Sequence, residues 1–249
     1  MRISCRTREE CFMKSRGIWR FWIALILTAV CMGTAATADG AAPASTPGST
    51  FYFGLYEQDG NPANGPEPIL WRILDADFTN GNYLALSEYG LYTMQYHHHN
   101  GMTYWRDTDV RNWLNGTFAT TAFSPYELSA VAYTQVSGSM DQFFLLDPSQ
   151  VQQYLWEPYL CYATPYAINS GAYVNQQTGA SSWLVRTDTA SERIAWIGGA
   201  GKLYLPSGST GVNYLTSGDN VVRPAMWIRM SEVDGSGAAV GSHTFFGHP

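Results

Sequence analysis

Positive charge is scarce in most of this 249-residue chain. Residues 1–38 hold six of the 14 Lys and Arg but two of the 20 Asp and Glu. The remaining 211 residues therefore carry 8 basic and 18 acidic side chains, a net charge of −10, with Lys202 as their one lysine. Such a surface is a poor electrostatic match for nucleic-acid phosphates and anionic bilayers. We therefore expect no nucleic-acid partner.

Cysteine is equally scarce. Three of the four cysteines fall within the first 31 residues, which leaves Cys161 alone in the rest of the chain. A single cysteine cannot form an internal disulfide, even in an oxidising compartment. Cys161 could be a nucleophile or a redox thiol, but its position between Leu160 and Tyr162 favours a small buried apolar side chain.

Familiar catalytic motifs are also missing. The chain has neither a G-x-S-x-G nucleophile elbow nor an H-E-x-x-H zinc motif. The 18 carboxylates after residue 38 are too many for any one glycosidase-type pair to stand out. Glu88 is the candidate acid, because it ends a predicted strand and precedes a tyrosine-rich loop.

The basic N-terminus has the layout of a secretory signal peptide over residues 1–38. Lys14, Arg16 and Arg20 precede an apolar run at 21–32 (FWIALILTAVCM), and small residues follow up to an A-T-A at 36–38. The run is shorter than the ~20 residues of a membrane-spanning helix. Translation could begin at Met1 or at Met13. We expect a secreted, periplasmic or cell-surface protein with no membrane span after cleavage.

Two alternatives to cleavage by a signal peptidase stay open. The segment could remain as an uncleaved anchor, or Cys31 could be lipidated. Val30 argues against lipidation, because a lipobox has a small residue immediately before its cysteine.

The rest of the chain divides into three parts. Residues 39–49 (DGAAPASTPGS) are typical of a flexible linker, and residues 231–249 form a Gly- and Ser-rich tail. Residues 50–230 hold nearly every large apolar side chain, with no internal repeat or linker, which predicts one domain.

Within that domain, strands are predicted first, then helices, then strands again. The strand segments are 50–56, 69–74, 83–86, 183–185, 193–197, 203–205 and 221–228, with hairpin turns at Asn80-Gly81 and at 198–201. In the strand at 221–228, Met226 or Trp227 should be buried. One helix should begin after Asp107 or Thr108 and end at Gly116, and capping boxes predict two more at Ser124 and Asp147. This order predicts a compact, single-domain α+β fold with short antiparallel strands and a few short helices.

The run His97-His98-His99 is the most distinctive short motif. Alternate residues of an extended segment share a face, so His97 and His99 could reach one metal ion, with Asp107 or Asp109 completing the site. The alternative is an exposed polar loop, since the surrounding residues favour turns. The contiguous run favours the loop, and we expect no tight transition-metal site and no cofactor.

Tyrosines form two clusters, at 89–104 and at 159–173. Tyrosine-rich loops on a rigid scaffold suit the recognition of ligands such as sugar rings. Covering a sheet is an equally good explanation.

Eight ordered blocks resemble a known family. They are 54–58 (GLYEQ), 67–75 (EPILWRILD), 86–90 (LSEYG), 111–116 (RNWLNG), 121–124 (TAFS), 144–146 (FLL), 163–167 (ATPYA) and 222–228 (VRPAMWI). Over about residues 50–230 the chain is similar to the bacterial domain-of-unknown-function family six-two-seven-three of exported proteins. The resemblance implies a compact α+β domain, distantly similar to C-type-lectin-like and formylglycine-generating-enzyme folds. It implies no activity.

The chain departs from these relatives at informative positions. Where the family reads W-W-L-R-S-P-G, residues 182–188 read SWLVRTD. The copper chemistry of formylglycine-generating enzymes requires a cysteine pair that Cys161 alone cannot supply. The calcium-and-sugar motifs of true C-type lectins are not found either.

These observations favour an exported, non-catalytic domain that binds a ligand, either a glycan or a surface protein. The predicted ligand-binding surface comprises Trp183, Arg186, Asp188, Tyr204 and Arg223. Arg186 and Arg223 could instead be structural partners of nearby acids such as Asp188 or Asp219. The alternatives are a hydrolase-like enzyme acting through Glu88 or the histidine run, and an architectural cell-surface protein. An aromatic pocket would favour the binding function. A pair of carboxylates in a cleft would favour an enzyme, and a flat surface would favour the architectural role.

Overall fold

The computed structural model describes residues 46–188, 190–208, 211 and 213–234. Its strands are β1 (Thr50–Tyr56), β2 (Glu67–Asp77), β3 (Asn82–Ser87), β4 (Tyr92–Thr93), β5 (Thr134–Val136), β6 (Ser139–Asp141), β7 (Phe143–Phe144), β8 (Trp183–Val185), β9 (Ala195–Ile197), β10 (Leu203–Tyr204), β11 (Val221–Val222) and β12 (Ala225–Arg229). Its helices are α1 (Asp109–Trp113), α2 (Ala119–Ala122), α3 (Pro125–Ala130), α4 (Pro148–Tyr154), α5 (Pro165–Asn169) and α6 (Met230–Asp234), with a short 3₁₀ turn at Trp105–Asp107 and a π turn at Leu114–Phe118. The fold is α+β, as predicted.

The first sheet is antiparallel throughout, in the order β1-β2-β3-β12-β7. Alternate residues of β2 (Ile69, Trp71 and Ile73) are buried, as expected for a strand with one face on the core. The predicted hairpin at Asn80-Gly81 joins β2 to β3, and Gly81 adopts the positive φ of 68° that such a turn requires.

The second sheet has the order β10-β9-β8-β11-β4, and its pairs are antiparallel except β8 with β11. The predicted strand 221–228 is in fact two strands in different sheets, β11 in the second and β12 in the first. The break falls at Arg223-Pro224, because proline has no N–H to continue a ladder. Met226 in β12 is fully buried, as expected, whereas Trp227 is half-buried.

The helix predicted to end at Gly116 runs on to Ala122. Thr108 caps it as predicted, accepting a hydrogen bond from the N–H of Arg111. The chain then passes through the π turn into α2 and becomes extended at Phe123. A glycine inside a helix costs about 1 kcal/mol, and the complete burial of Phe118 beyond it offsets that cost.

The two predicted capping boxes are both present. Ser124 and Glu127 cap α3, and Asp147 and Gln150 cap α4, each with proline at the first helical position. Among the described residues, no helix is both long and apolar enough to cross a bilayer.

The predicted terminal segments are only partly described. Residues 1–38 of the predicted signal peptide, residues 39–45 of the linker and residues 235–249 of the tail lie outside the described residues. At the linker's end, the N–H of Gly48 donates to the carbonyl of Ile73, and the N–H of Ile73 donates to that of Ser49. The first residues of the predicted tail, 231–234, belong to α6.

Candidate functional site

The predicted ligand-binding residues do not form one surface. Trp183 is fully buried in β8, and its Nε1 donates to the carbonyl oxygen of Tyr159 at 3.0 Å. An indole without exposed surface cannot stack on a ligand, so Trp183 is a core residue.

Arg186 is a buried structural connector. Its Nη2 lies 2.7 Å from Oδ2 of Asp147, its Nε lies 2.6 Å from Oδ1 of Asp188, and its Nη1 donates to the carbonyl of Leu145. Asp147 also caps α4, and the exposed Asp188 accepts a hydrogen bond from Ser137. The guanidinium therefore joins the end of β8 to the start of α4, which agrees with the structural alternative for Arg186.

Arg223 holds together the two chain segments that pass between the sheets. Its Nε donates to the carbonyl of Ser87 at 2.8 Å, and its Nη2 donates to that of Glu88 at 3.3 Å. Its guanidinium also lies 5.2 Å from the centre of the Trp183 ring. Among the described residues these partners are neutral, and the predicted partner Asp219 lines a different part of the molecule.

Arg223 also faces a cleft of about 450 Å³, which we call the arginine cleft. Its lining residues are Pro47, Gly48, Arg72, Ile73, Leu74, Glu88, Tyr154, Leu155, Trp156, Pro158, Tyr159, Leu160 and Arg223. Trp156 is 92% exposed. This cleft therefore contains both the predicted candidate acid and one predicted binding arginine.

The carboxylate of Glu88 is paired with the guanidinium of Arg72. Two hydrogen bonds of 2.7 Å join its carboxylate oxygens to Nε and Nη2 of that side chain. The Arg72 hydrogen bonds, helped by the nearby charge of Arg223, lower the pKa of Glu88 despite partial burial. A carboxylate kept ionised in this way is poorly suited to donate a proton as a general acid.

A second cleft, of about 420 Å³, has an aromatic wall. The turn at 198–201 pairs β9 with β10, which places Trp196 opposite Tyr204. Their rings stack with centroids 4.6 Å apart and planes 15° apart. Trp196 is held by a 2.8 Å hydrogen bond from its Nε1 to the carbonyl of Gly211. Of the predicted binding residues, Tyr204 is the one that lies here.

The rest of this cleft is polar, and we call it the amide cleft. Its lining residues are Tyr173, Asn175, Ser182, Trp196, Gly198, Gly199, Ala200, Tyr204, Asn213, Ser217, Asp219 and Asn220. Nδ2 of Asn213 donates to Oδ1 of Asn220 at 3.2 Å, so these amides are ordered relative to each other. Asp219 is the one carboxylate of this lining, as Glu88 is in the arginine cleft.

Sequence reasoning missed most of the amide cleft. Trp196 could have been found, because the five residues 198–202 separate the predicted strands 193–197 and 203–205, and a hairpin centred on residue 200 places residues 196 and 204 opposite each other. Asn175, Asn213 and Asn220 gave no signal, because they come from irregular segments that only tertiary structure brings together.

The histidine run is more organised than an exposed loop. His97 is buried and His98 and His99 are exposed, and one ring nitrogen from each lies within 4.8 Å of the others. Nδ1 of His98 lies 2.9 Å from Oδ2 of Asp109, one of the two acids predicted as a possible fourth ligand. Burial lowers the pKa of His97, partly opposed by the charge of Asp109.

A family comparison matches residues 80–230 to a family described as Domain of unknown function (DUF6273). The chain belongs to this family. The match begins after the first two of the eight blocks and includes Arg223, the histidine run and every residue lining the amide cleft. No curated protein and no solved structure matches the chain.

Proposed function

We propose that this protein is an exported, non-catalytic domain that binds a neutral, polyhydroxylated ligand such as a glycan in the amide cleft. The observation that carries the proposal is the aromatic wall of Trp196 and Tyr204 beside a group of amide, hydroxyl and carboxylate side chains. Small-molecule sites combine apolar walls and a few fixed polar groups in this way, and 420 Å³ is within their usual size range.

The chemistry of the polar lining suits hydroxyl groups. Each asparagine amide offers both donors and an acceptor, and a carboxylate adds acceptors. A sugar hydroxyl needs both kinds of partner, and a site built to hydrogen-bond hydroxyls rejects analogues that lack them. The apolar face of a sugar ring could pack on the aromatic wall.

The charge of the lining disfavours an anionic ligand. Asp219 is its one carboxylate, and no lysine or arginine lines the cleft. Both clefts hold a single carboxylate each, so neither presents the pair that glycoside hydrolysis uses. The aromatic concavity thus favours binding over the hydrolase-like and architectural alternatives.

The proposal also includes export and a distant relationship to C-type-lectin-like domains. The basic, apolar and A-x-A series of residues 1–38 supports export, and the α+β fold is compatible with a distant relationship to C-type-lectin-like domains. N-terminal sequencing of exported protein should return Asp39 within a few residues. A sequence that starts at Met1 or Met13 would contradict cleavage.

Ligand binding is tested with a glycan array followed by calorimetry on the glycans bound. Tyr173→Ala removes a half-exposed ring from the amide cleft, and Asp219→Asn removes its carboxylate. Each should weaken binding at least tenfold, which corresponds to ~1.4 kcal/mol. Tyr104→Ala is the matched control, because Tyr104 is 48% exposed, Tyr173 is 46% exposed, and Tyr104 lies outside this lining.

The arginine cleft is the alternative binding site for the ligand on this protein. If binding survived Tyr173→Ala and Asp219→Asn but was lost in Trp156→Ala, the ligand would occupy the arginine cleft and our assignment would be wrong. Failure of every glycan to bind would refute the proposed ligand class.

A further inference from the structure

We infer that His97, His98, His99 and Asp109 form a binding site for a divalent transition-metal ion of the zinc type. The histidine run alone does not carry this inference, because contiguous histidines on a flexible loop also bind metals weakly. Three structural features distinguish this cluster from such a run, and the inference is independent of glycan binding.

The first feature is the convergence of the three rings. The imidazole centroids are 4.3 Å (His97–His98), 4.3 Å (His97–His99) and 4.4 Å (His98–His99) apart. In a fully extended strand, His98 would point away from its two neighbours. The bend at 97–99 instead brings one ring nitrogen from each of the three side chains within 4.8 Å of the others.

The second feature is a carboxylate from a different element. Oδ1 of Asp109 lies 3.3 Å from Nδ1 of His97, and Oδ2 lies 2.9 Å from Nδ1 of His98. Metal–ligand bonds of about 2.0–2.1 Å in a tetrahedral zinc site place neighbouring ligand atoms about 3.3 Å apart. The nitrogen–oxygen distances are already close to this value, and rotation of the two exposed imidazoles could bring the remaining nitrogens closer.

The third feature is a buried nitrogen that lacks a hydrogen bond. His97 is more than nine-tenths buried, and its Nδ1 makes no well-aligned hydrogen bond to any described residue, although Asp109 is near. A buried polar atom without such a bond is costly. A metal ion at the point where the rings converge would satisfy it.

The scaffold beneath the cluster is fixed at both ends. The N–H of His97 donates to the carbonyl of Leu215 at 3.0 Å, and the N–H of Val110 donates to the carbonyl of Tyr96 at 3.2 Å. The capped start of α1 holds Asp109 opposite the loop. The ligand positions therefore depend on tertiary structure rather than on the local sequence.

The donor set indicates the class of ion. Three imidazole nitrogens and one carboxylate oxygen suit zinc, copper, nickel and iron, whereas calcium and magnesium prefer all-oxygen sites. His98 and His99 are exposed, so the ion would sit at the surface with His97 as its buried ligand.

The test is a zinc titration of the untagged chain by calorimetry, with the visible spectrum of bound Co²⁺ as a probe of coordination. We expect one equivalent of Zn²⁺ with a dissociation constant of about 1 µM or tighter, and no competition from Mg²⁺. His98→Ala, His99→Ala and Asp109→Asn should each weaken zinc binding at least tenfold and alter the Co²⁺ spectrum. These substitutions lie at exposed or partly exposed positions and should leave the circular dichroism spectrum unchanged.

Two controls separate a folded site from an adventitious one. Asp107→Asn removes the exposed carboxylate of a neighbouring aspartate that is paired with Arg106, and it should not change the affinity. The double variant His243→Ala/His248→Ala removes the two histidines outside the run and should also have no effect. If Asp109→Asn bound zinc as tightly as the parent, the metal would be held by the histidine run alone. If Asp107→Asn weakened binding as much as Asp109→Asn, the effect would be one of general negative charge and not of coordination by Asp109. Either result would overturn the inference.

Discussion

Arg186→Ala should be among the most damaging single substitutions in this domain. The guanidinium is buried, and its removal leaves Oδ2 of Asp147 without its ion-pair partner and takes away the donor to the buried carbonyl of Leu145. Oδ1 of Asp147 still accepts from the N–H of Gln150. Breaking a buried ion pair from one side costs about 3–5 kcal/mol. Asp188 is half-exposed and regains water, so its lost ion pair contributes at most ~1 kcal/mol. We expect a loss of about 3 kcal/mol in the free energy of unfolding.

Equilibrium unfolding in urea measures this loss as a lower midpoint at an unchanged m value. Arg229→Ala is the matched control, because Arg229 is half-exposed and its nearest contact with Glu232 is 3.4 Å. A surface pair of this kind contributes about 0–1 kcal/mol. If Arg186→Ala were no more destabilising than Arg229→Ala, the buried connection between β8 and α4 would not stabilise the fold, and the assignment of Arg186 as structural would be refuted.

Two further predictions concern β1 and the Arg72–Glu88 pair. Gly54 has a φ of +72°, and a Cβ at this position would overlap the ring of Phe123. Gly54→Ala should therefore lower the free energy of unfolding in urea by about 2–5 kcal/mol. Gly65→Ala, at a positive φ with no atom near the Cβ position, should cost about 1–2 kcal/mol, and equal losses would refute the overlap. Because Arg72 lowers the pKa of Glu88, the pair should stabilise the fold fully above the ordinary pKa of 4.5 and lose that contribution as the pH falls through the lowered value. Glu88→Gln should therefore flatten this part of the acid dependence of the urea midpoint, and identical pH profiles for the variant and the parent would contradict the prediction.

Local chemistry made much of the secondary structure predictable. The capping boxes at Ser124 and Asp147 were predicted correctly, because each satisfies backbone donors within four residues of sequence. The hairpin at Asn80-Gly81 was predictable for the same reason, because its signal lies in two adjacent residues. Where burial opposed a local preference, burial decided the outcome, as in the helix that continues through Gly116 so that Phe118 enters the core.

The sites were less predictable, because they depend on contacts between distant segments. For Arg186, the nearby partner Asp188 was suggested correctly from the sequence. The distant partners could not be assigned, because Asp147 lies 39 residues from Arg186 and Ser87 lies 136 residues from Arg223. Asp109 could be suggested as a partner of the histidine run because it lies only 11 residues from His98.

Four of the eight basic residues in 39–249 connect separate segments of the fold. Arg72, Arg111 and Arg186 are paired with carboxylates at 2.6–2.7 Å, and Arg223 is bound to two carbonyls. The charges of Arg72, Arg111 and Arg186 are therefore balanced by carboxylates within the fold, whereas the hydrogen-bond partners of Arg223 are neutral.

The salt dependence of ligand binding distinguishes the two clefts, because arginines line the arginine cleft and not the amide cleft. An anion in the arginine cleft would be attracted by Arg223 and repelled by Glu88. Its affinity should fall as salt screens the attraction, because the Debye length is about 8 Å at 0.15 M ionic strength. A neutral glycan in the amide cleft meets Asn175, Asn213 and Asn220, whose hydrogen bonds depend little on ionic strength. We therefore expect the dissociation constant of an array-identified glycan to change by less than about twofold between 50 mM and 500 mM NaCl. A loss of tenfold or more over that range would mean that charge recognition dominates, and would favour the arginine cleft.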